Sequence, residues 1–285
     1  MKKIGFIDYY IDEWHANNYP AMIRESSFKD RFEVALAWEE QAVAGKKPIA
    51  DWCREQRVRQ APDLATVVRE CDAIVVLSPD NAERHEALAD LPLRSGKPVY
   101  IDKPIAPSLA AAQRLFAKAR EHQTPMMSCS ALRFGSTFEQ ALADKVAGKP
   151  VRFASTGGPG LFETYAIHQL EMLVMALGTG ASRVMQCGNR DAHVMVVDYP
   201  DGRRGLFNQN PAQPFEISIQ FGAGEGVSVT KMDDFFPRFI AAMLTFFDTG
   251  RPSAPEAETL EIAALIETGR KAFESPDRWV PVVKG

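Results

Sequence analysis

The chain has 285 residues, of which 46% are hydrophobic and 25% are charged, and its formal net charge is −4. These values are ordinary for a globular protein, and the length is sufficient for two domains that each bury a core. There is no basic patch and no apolar run of about 18 residues, so neither nucleic acid nor a membrane is an expected partner.

The first 127 residues alternate between strand and helix patterns. The run Asp72–Leu77 is continuously apolar, which is typical of a strand that is buried on both faces. The predicted strands are Lys3–Asp8, Glu33–Trp38, Asp72–Leu77, Pro98–Ile101 and Pro125–Ser130. The predicted helices are Pro20–Glu25 with Asn18 as a candidate cap, Ala50–Arg59, Asp63–Glu70, Ala82–Ala89 and Ser108–His122. This order predicts an α/β domain over residues 1–127 with a Rossmann-like, doubly wound parallel sheet.

Residues 128–285 have a different pattern, in which a helix and a strand are followed by a helix, a group of strands and two final helices. The turn Tyr199-Pro200-Asp201-Gly202 predicts a hairpin between two of the strands. The predicted strands are Val151–Ser155, Arg183–Asn189, His193–Tyr199, Arg204–Gln209, Glu216–Gly222 and Gly226–Thr230. The predicted helices are Ser136–Val146, Glu163–Leu177, Phe235–Thr249 and Glu256–Ser275. We therefore expect a second, α+β domain with a mostly antiparallel open sheet.

The thiol and imidazole side chains indicate no metal site and no disulfide framework. The four cysteines are widely spaced and make no Cys-x-x-Cys pair, and the five histidines lack the spacing of metal ligands. The N-terminal residues enter a strand pattern without the apolar core of a signal peptide. We therefore expect a cytoplasmic protein with reduced cysteines.

Asp102, Lys103 and Pro104 follow the predicted strand Pro98–Ile101 directly. Folds of this class place their chemistry at the carboxyl ends of parallel strands, and the proline fixes φ as the chain leaves the strand. A lysine at that edge could donate to a substrate hydroxyl or carry its proton. By position alone, a turn with a surface lysine is the favoured interpretation, because most Asp-Lys-Pro triplets are only turns.

Several segments, in this order along the chain, make it resemble the Gfo/Idh/MocA oxidoreductases, the group of glucose–fructose oxidoreductase and inositol dehydrogenase. No single motif is specific, and the resemblance rests on their order and spacing over nearly the whole chain. The segments are Ser78-Pro79-Asp80 with His85, Gly96-Lys97-Pro98-Val99 with Asp102-Lys103-Pro104, Leu132-Arg133-Phe134, Gly157 to His168 with Leu177-Gly178, and Phe221 to Gly226.

The resemblance implies NAD or NADP bound in the first domain and a reaction at a hydroxyl of a sugar, cyclitol or similar small polyol. It implies that Lys103 contacts the substrate and helps to move its proton, and that His168 is the acid or base. Neutral histidine suits that role near neutral pH, although a histidine on an apolar helix can also be a core residue. We expect the active site in the cleft between the domains and a homo-oligomer formed through the C-terminal sheet.

The candidate site residues form two further groups. The candidate cofactor-binding residues are Asp8, Tyr10, Glu39, Ser78, Pro79 and Asp102. The candidate substrate-binding residues are Trp14, His15, Asn18, Arg133, Glu163 and Thr164. His85 resembles a family position, and a solvated helix histidine is an equal alternative. Thr164 stands where the family pattern has an aspartate, with Glu163 beside it.

The loop after the first strand departs from the dinucleotide pattern. A Gly-x-Gly-x-x-Gly turn lets backbone amides approach a diphosphate, but Asp8 and Tyr10 stand at its first two glycine positions. Trp38 stands where a ribose-binding acid is expected, with Glu39 next to it. The loop is then a variant cofactor loop, a metabolite-binding loop or plain surface. Two functions follow: an NAD(P)-dependent oxidoreductase, or a redox-neutral enzyme or binding protein that has lost ordinary dinucleotide binding.

Overall fold

The computed structural model describes residues 1–189 and 192–285, and their contacts divide the chain into two compact units. Unit 1 comprises Met1–Ala106, Ala111–Ser128 and Ile240–Pro255. Unit 2 comprises Pro107–Ala110, Cys129–Phe239 and Glu256–Gly285. The predicted division after residue 127 assigns residues 240–255 to the second domain, whereas their contacts here are with unit 1. None of the helices in the described ranges is both long enough and apolar enough to cross a membrane.

Unit 1 is built on a parallel sheet, as predicted. Its described strands pair in the order β3-β2-β1-β4-β5-β6, and each pair is parallel. The strands are β1 (Lys2–Asp8), β2 (Phe32–Glu39), β3 (Arg59–Gln60), β4 (Ala73–Val76), β5 (Val99–Ile101) and β6 (Met126–Met127). The helices between them are α1 (Trp14–Glu25), α2 (Ile49–Gln56), α3 (Leu64–Glu70), α4 (His85–Leu93) and α5 (Leu109–Glu121). The predicted α/β class is therefore confirmed.

Gly5 shows why the centre of this sheet needs a glycine inside a strand. A Cβ atom at Gly5 would lie 2.3 Å from Cγ1 of Val67 and 3.0 Å from Sγ of Cys71. Both side chains come from α3 or the residue that ends it, so the missing side chain lets α3 pack directly against β1. This glycine therefore serves helix–strand packing.

Unit 2 is built on a mixed, mostly antiparallel sheet. Among its described residues the strand order is β12-β11-β7-β10-β9-β8-β13, and only β7 and β10 pair in parallel. The strands are β7 (Val151–Gly158), β8 (Arg183–Gln186), β9 (Val194–Asp198), β10 (Arg204–Gln209), β11 (Glu216–Phe221), β12 (Glu225–Val229) and β13 (Val280–Pro281). The helices are α6 (Ser136–Ala141), continued by a π-helical turn at Leu142–Val146, α7 (Phe162–Leu177) and α9 (Glu256–Ala272). Helix α8 (Phe235–Thr249) begins in unit 2 and belongs to unit 1 from Ile240 onward. The predicted hairpin joins β9 to β10.

The main difference from the predicted elements concerns α1. The sequence pattern starts this helix at Pro20 with Asn18 as its cap, but the helix begins at Trp14 and Pro20 lies inside it. A proline is usual in the first turn of a helix, which made Pro20 look like a helix start. The actual cap is Glu13, and this changes the chemistry of the loop before it.

Candidate active site

Three polar residues lie at the carboxyl ends of adjacent strands in unit 1. Asp8 ends β1, Ser78 follows β4, and Asp102 follows β5. All three are at most 2% exposed. Parallel strands present these ends at one edge of the sheet, which is the edge where such folds bind ligands.

Asp8 and Ser78 are joined by hydrogen bonds. The Ser78 hydroxyl donates to Oδ1 of Asp8 at 2.8 Å, and the backbone N–H of Tyr9 donates to the Ser78 hydroxyl oxygen at 2.9 Å. Oδ2 of Asp8 is buried and has no hydrogen-bond partner among the residues that the structure describes. Burial and the nearby Glu13 carboxyl raise the pKa of Asp8 well above its ordinary value, against the lowering effect of the Ser78 and Tyr9 hydrogen bonds. A ligand hydroxyl at Oδ2 would satisfy this atom.

The loop between β1 and α1 is fixed by contacts with β2 and the segment that follows it. The N–H of Ile11 donates to Glu39 at 3.0 Å, and the N–H of Lys47 donates to Asp12 at 2.9 Å. The Lys46 ammonium lies 4.8 Å from the ring centre of Tyr10. Ile11 is fully buried, so the interpretation of this loop as plain surface is wrong.

Glu13 caps the N-terminus of α1 with its own side chain. Its carboxylate accepts hydrogen bonds from the backbone N–H groups of His15, at 2.7 Å, and Ala16. These are amides of the first turn, which otherwise have no partner within the helix. Glu13 is only 5% exposed, and this burial raises its pKa to about 7 although His15 lowers it.

His15 and Asp102 form a buried pair. Nδ1 of the imidazole is hydrogen-bonded to Oδ2 of Asp102, and the ring stacks on Tyr19 with the centres 5.0 Å apart. Burial raises the pKa of Asp102, but the His15 imidazole and, after it, the Lys103 ammonium together lower the pKa by more than burial raises it. The pKa of Asp102 therefore lies below its ordinary value. The pair fixes the orientation of an imidazole at the strand ends, beside the half-exposed ring of Trp14.

Lys103 is held in place through its backbone. Its N–H donates to Oδ1 of Asp102 at 2.8 Å, and its peptide bond to Pro104 is cis. The side chain is largely buried, and its ammonium has no hydrogen bond or ion pair within residues 1–189 and 192–285. A lysine that is buried without a bonded partner is available to a ligand.

His85 holds the segment that carries Lys103 in place. Its ring nitrogens contact the carbonyl oxygen of Ile105 at 2.9 Å and that of Leu77 at 2.7 Å, which joins the end of β4 to the chain after Pro104. The residue is fully buried, and this burial lowers the pKa of its imidazole. The alternative of a solvated helix histidine is therefore wrong, and His85 positions the loop that carries Lys103.

In unit 2, His168 lies on α7 and is half-buried. Its Nδ1 is hydrogen-bonded to the Ser130 hydroxyl at 2.7 Å, and the ring of Phe215 lies edge-on at 5.3 Å. Ser130 is a partner that the sequence did not reveal, because it stands 38 residues away in the chain. Glu163 is exposed and Thr164 is half-buried, one turn earlier on the same helix.

Arg133 lies in a buried ionic network of unit 2. Its guanidinium contacts Glu171 at 2.6 Å and also Glu258, and Glu171 accepts a further hydrogen bond from the N–H of Ser130 at 3.0 Å. Arg133 is 6% exposed. Two carboxylates occupy its donors, so the structure favours a structural role over the predicted contact with substrate.

The remaining predicted site residues, Pro79, Asn18 and Glu39, all lie in unit 1. Pro79 is buried beside Ser78, and the side chain of Asn18 donates to the carbonyl oxygen of Trp14 at 2.7 Å, within α1. Glu39 serves the loop through Ile11. Unit 1 thus brings Asp8, Ser78, Asp102, Lys103 and His15 to one edge of its sheet, together with Glu13, which the sequence did not single out. Lys103 and His168 belong to different units, so their pairing stays a prediction.

The α1 N-terminus does not fit the diphosphate of a dinucleotide. The amides that would receive it are bonded to Glu13, and the carboxyls of Asp8 and Asp102 add to the negative charge. Tyr9 and Tyr10 occupy the turn where the backbone would have to approach the ligand closely. A cofactor of this class would need other contacts.

Comparison with known proteins relates the first unit to a family. A family described as "Oxidoreductase family, NAD-binding Rossmann fold" matches residues 14–129, a range that starts with α1 and so follows β1 and the altered loop. The uncharacterized oxidoreductase YhhX of Escherichia coli is 26% identical over 234 residues, which are 74% of this chain and 61% of that protein. The match therefore spans less than two thirds of this relative.

Solved structures with the same fold cover nearly the whole chain. An oxidoreductase from Agrobacterium radiobacter, in complex with NAD+, L-tartaric acid and magnesium, has a TM-score of 0.79 at 14% identity and is matched over 98% of both chains. A scyllo-inositol dehydrogenase from Lactobacillus casei also has a TM-score of 0.79, at 16% identity, over 99% of this chain and 98% of that one. At this identity the likeness establishes the fold.

Proposed function

We propose that the chain is a member of the Gfo/Idh/MocA oxidoreductase family, whose model matches residues 14–129, and that it is an enzyme that acts on a hydroxyl of a sugar, a cyclitol or a similar small polyol. NAD or NADP is the cofactor that the family implies. The observation that carries the proposal is Lys103, a buried lysine without a bonded partner at the end of β5. Two structural neighbours, a scyllo-inositol dehydrogenase and an oxidoreductase in complex with L-tartaric acid, support a hydroxylated ligand.

Lys103 and His168 would have different roles at the reacting hydroxyl of the substrate. The Lys103 ammonium would stabilise negative charge that develops on the reacting oxygen. His168 would accept or donate the hydroxyl proton through its imidazole, whose orientation is set by Ser130. Both roles concern only the proton and the charge on oxygen.

A second function is favoured by Glu13. Its carboxylate occupies the amides that a dinucleotide diphosphate would use, which supports a redox-neutral proton transfer on the same class of substrate. Proton removal from a carbon next to a carbonyl group, as in the open-chain form of a sugar, needs the same lysine to stabilise the enolate oxygen and an acid or base to move the proton. The two functions therefore differ in the need for a nicotinamide.

One assay separates these functions. Myo-inositol, glucose and galactose are incubated with the enzyme in D2O, with and without NAD+ or NADP+, and followed by NMR and by NADH absorbance. Oxidation that requires the cofactor supports the first function, and deuterium incorporation next to the aldehyde carbon of glucose or galactose without cofactor supports the second. Neither change, with folded protein and all three polyols, would count against this substrate class.

The role of Lys103 has a matched control in Lys97. The Lys97 ammonium donates to the carbonyl oxygens of Val68, Arg69 and Cys71, so it holds α3 to the sheet. We expect Lys103→Met to lower kcat/KM by about a hundredfold or more with little loss of stability. Lys97→Met should instead lower stability and leave kcat/KM unchanged. Equal losses of activity in the two variants would contradict a catalytic Lys103.

We also propose assembly of copies through the sheet of unit 2 and a cytoplasmic location. Light scattering after size exclusion tests the first of these, and a monomer at micromolar concentration would contradict it.

A further inference from the structure

The N-terminus of α1 is built as an anion-binding site. The first-turn N–H groups of a helix carry partial positive charge and commonly bind phosphate or carboxylate. In doubly wound sheets, the helix after β1 uses these groups for a diphosphate. Here α1 has 12 residues and follows β1 after the loop of residues 9–13, so the first-turn N–H groups that form such an anion-binding cradle are present.

The cradle already holds an anion that belongs to the chain. The Glu13 carboxylate accepts from both the His15 and the Ala16 N–H groups, and the residue is 5% exposed. Its backbone is extended at φ −132° and ψ 171°, which is the ordinary conformation of a helix cap. The carboxylate is therefore part of the fold at this point.

The surroundings of this cradle disfavour a second anion but suit hydroxyl groups. Asp8 and Asp102 contribute further buried carboxyls at the same strand ends. Oδ2 of Asp8 is buried and has no partner, and it lies in a group whose other members are Glu13 and Asp102. Lys103 and His15 add one ammonium and one imidazole at this edge.

We propose that Glu13 is the resident anion of the α1 cradle, and that the ligand bound at this edge of unit 1 is an uncharged, hydroxyl-bearing molecule instead of a dinucleotide diphosphate. The Asp8 carboxyl and the Lys103 ammonium would bind its hydroxyls, beside the His15 imidazole that Asp102 orients. The inference concerns the charge that the cradle accepts, so it does not rest on the proposed reaction.

The test is a titration of the full-length protein with NADH, followed by nicotinamide fluorescence, and with inorganic pyrophosphate, followed by thermal shift. The variant Glu13→Ser removes the carboxylate and keeps a good helix cap. Glu25→Ser is the matched control, because it removes the same charge from the exposed other end of α1.

The wild type should show no saturable NADH signal up to about 1 mM. Glu13→Ser should bind NADH or pyrophosphate at least about tenfold more tightly than Glu25→Ser. Saturable wild-type binding of NADH below that concentration would overturn the inference, and so would the absence of a gain in Glu13→Ser. If that variant does not fold, Glu13→Gln serves the same comparison with a neutral side chain.

The outcomes also separate this inference from the proposed function. Turnover of a polyol with NAD+ by the wild type would support the oxidoreductase and overturn the inference. Deuterium incorporation without cofactor, together with the gain in Glu13→Ser, would support the inference and the redox-neutral function.

Discussion

Neutralising Glu13 should make the protein more stable, and the gain should depend on pH. The pKa of this carboxyl is raised from 4.5 to about 7 in the folded state, mainly by burial. Between these two values the folded chain binds more protons at this site than the unfolded chain. The free energy of unfolding therefore falls as the pH rises through this window.

The size of this loss of stability follows from the difference between the folded-state and unfolded-state pKa values of Glu13. A separation from 4.5 to about 7, at about 1.4 kcal/mol per pH unit, corresponds to a loss of about 3 kcal/mol once the pH is above the folded value. Glu13→Gln has no such loss. It also removes one of the charges that raise the pKa of Asp8, which acts in the same direction. We therefore expect the variant to match the wild type near pH 4 and to gain up to about 3 kcal/mol near pH 8.

Urea unfolding at a series of pH values, followed by tryptophan emission, measures this difference, and Trp52, which is fully buried in unit 1, contributes to that signal. Glu25→Gln, at the exposed end of α1, is the control and should show no pH-dependent gain. A difference between Glu13→Gln and the wild type that stays constant from pH 4 to pH 8 would refute the reasoning, and so would a loss of stability at pH 8.

Three further predictions concern the packing around the candidate site. Arg133→Met should lower the free energy of unfolding in urea by about 3–5 kcal/mol, because it leaves a buried carboxylate unpaired. The control Arg238→Met breaks an exposed ion pair and should lower it by less than about 1 kcal/mol. Similar losses in the two variants would argue against a buried network. Asp102→Asn should remove the downfield NMR signal of the His15 Nδ1 proton, and persistence of that signal would show that another group holds the ring. Gly5→Ala should lower stability by about 1–3 kcal/mol in thermal unfolding, and an unchanged melting temperature would contradict the close packing of α3 on β1.

The sequence predicted the elements whose signal is local. The apolar run of β4 and the periodicity of α7 identified both elements, because burial on two faces or along one stripe leaves a direct pattern. The start of α1 was missed because glutamate is an uncommon helix cap and Pro20 resembled a first-turn proline. Strand β3, with two residues, is too short to show any pattern.

In unit 1, the sequence predicted the site residues that directly follow the end of a strand. Asp102 and Lys103 were found because the end of β5 is visible in the sequence. The partners that define their chemistry were not visible, since the His15–Asp102 contact joins residues 87 positions apart. The same holds for Ser130 beneath His168. Such pairs depend on tertiary packing, which no spacing rule encodes.

The altered loop after β1 is better explained by function than by loss of function. A loop that had merely lost its glycines would be exposed and polar. Here Ile11 and Glu13 are buried, and the Glu39 carboxylate accepts a hydrogen bond from the N–H of Ile11 in the loop. Burying a carboxyl whose pKa rises to about 7 lowers stability at neutral pH. Structural features that lower stability and break the local rules of a fold are concentrated at functional sites. Asp102 then connects the two halves of the site, because its carboxylate binds the loop through His15 and the Lys103 backbone through its other oxygen.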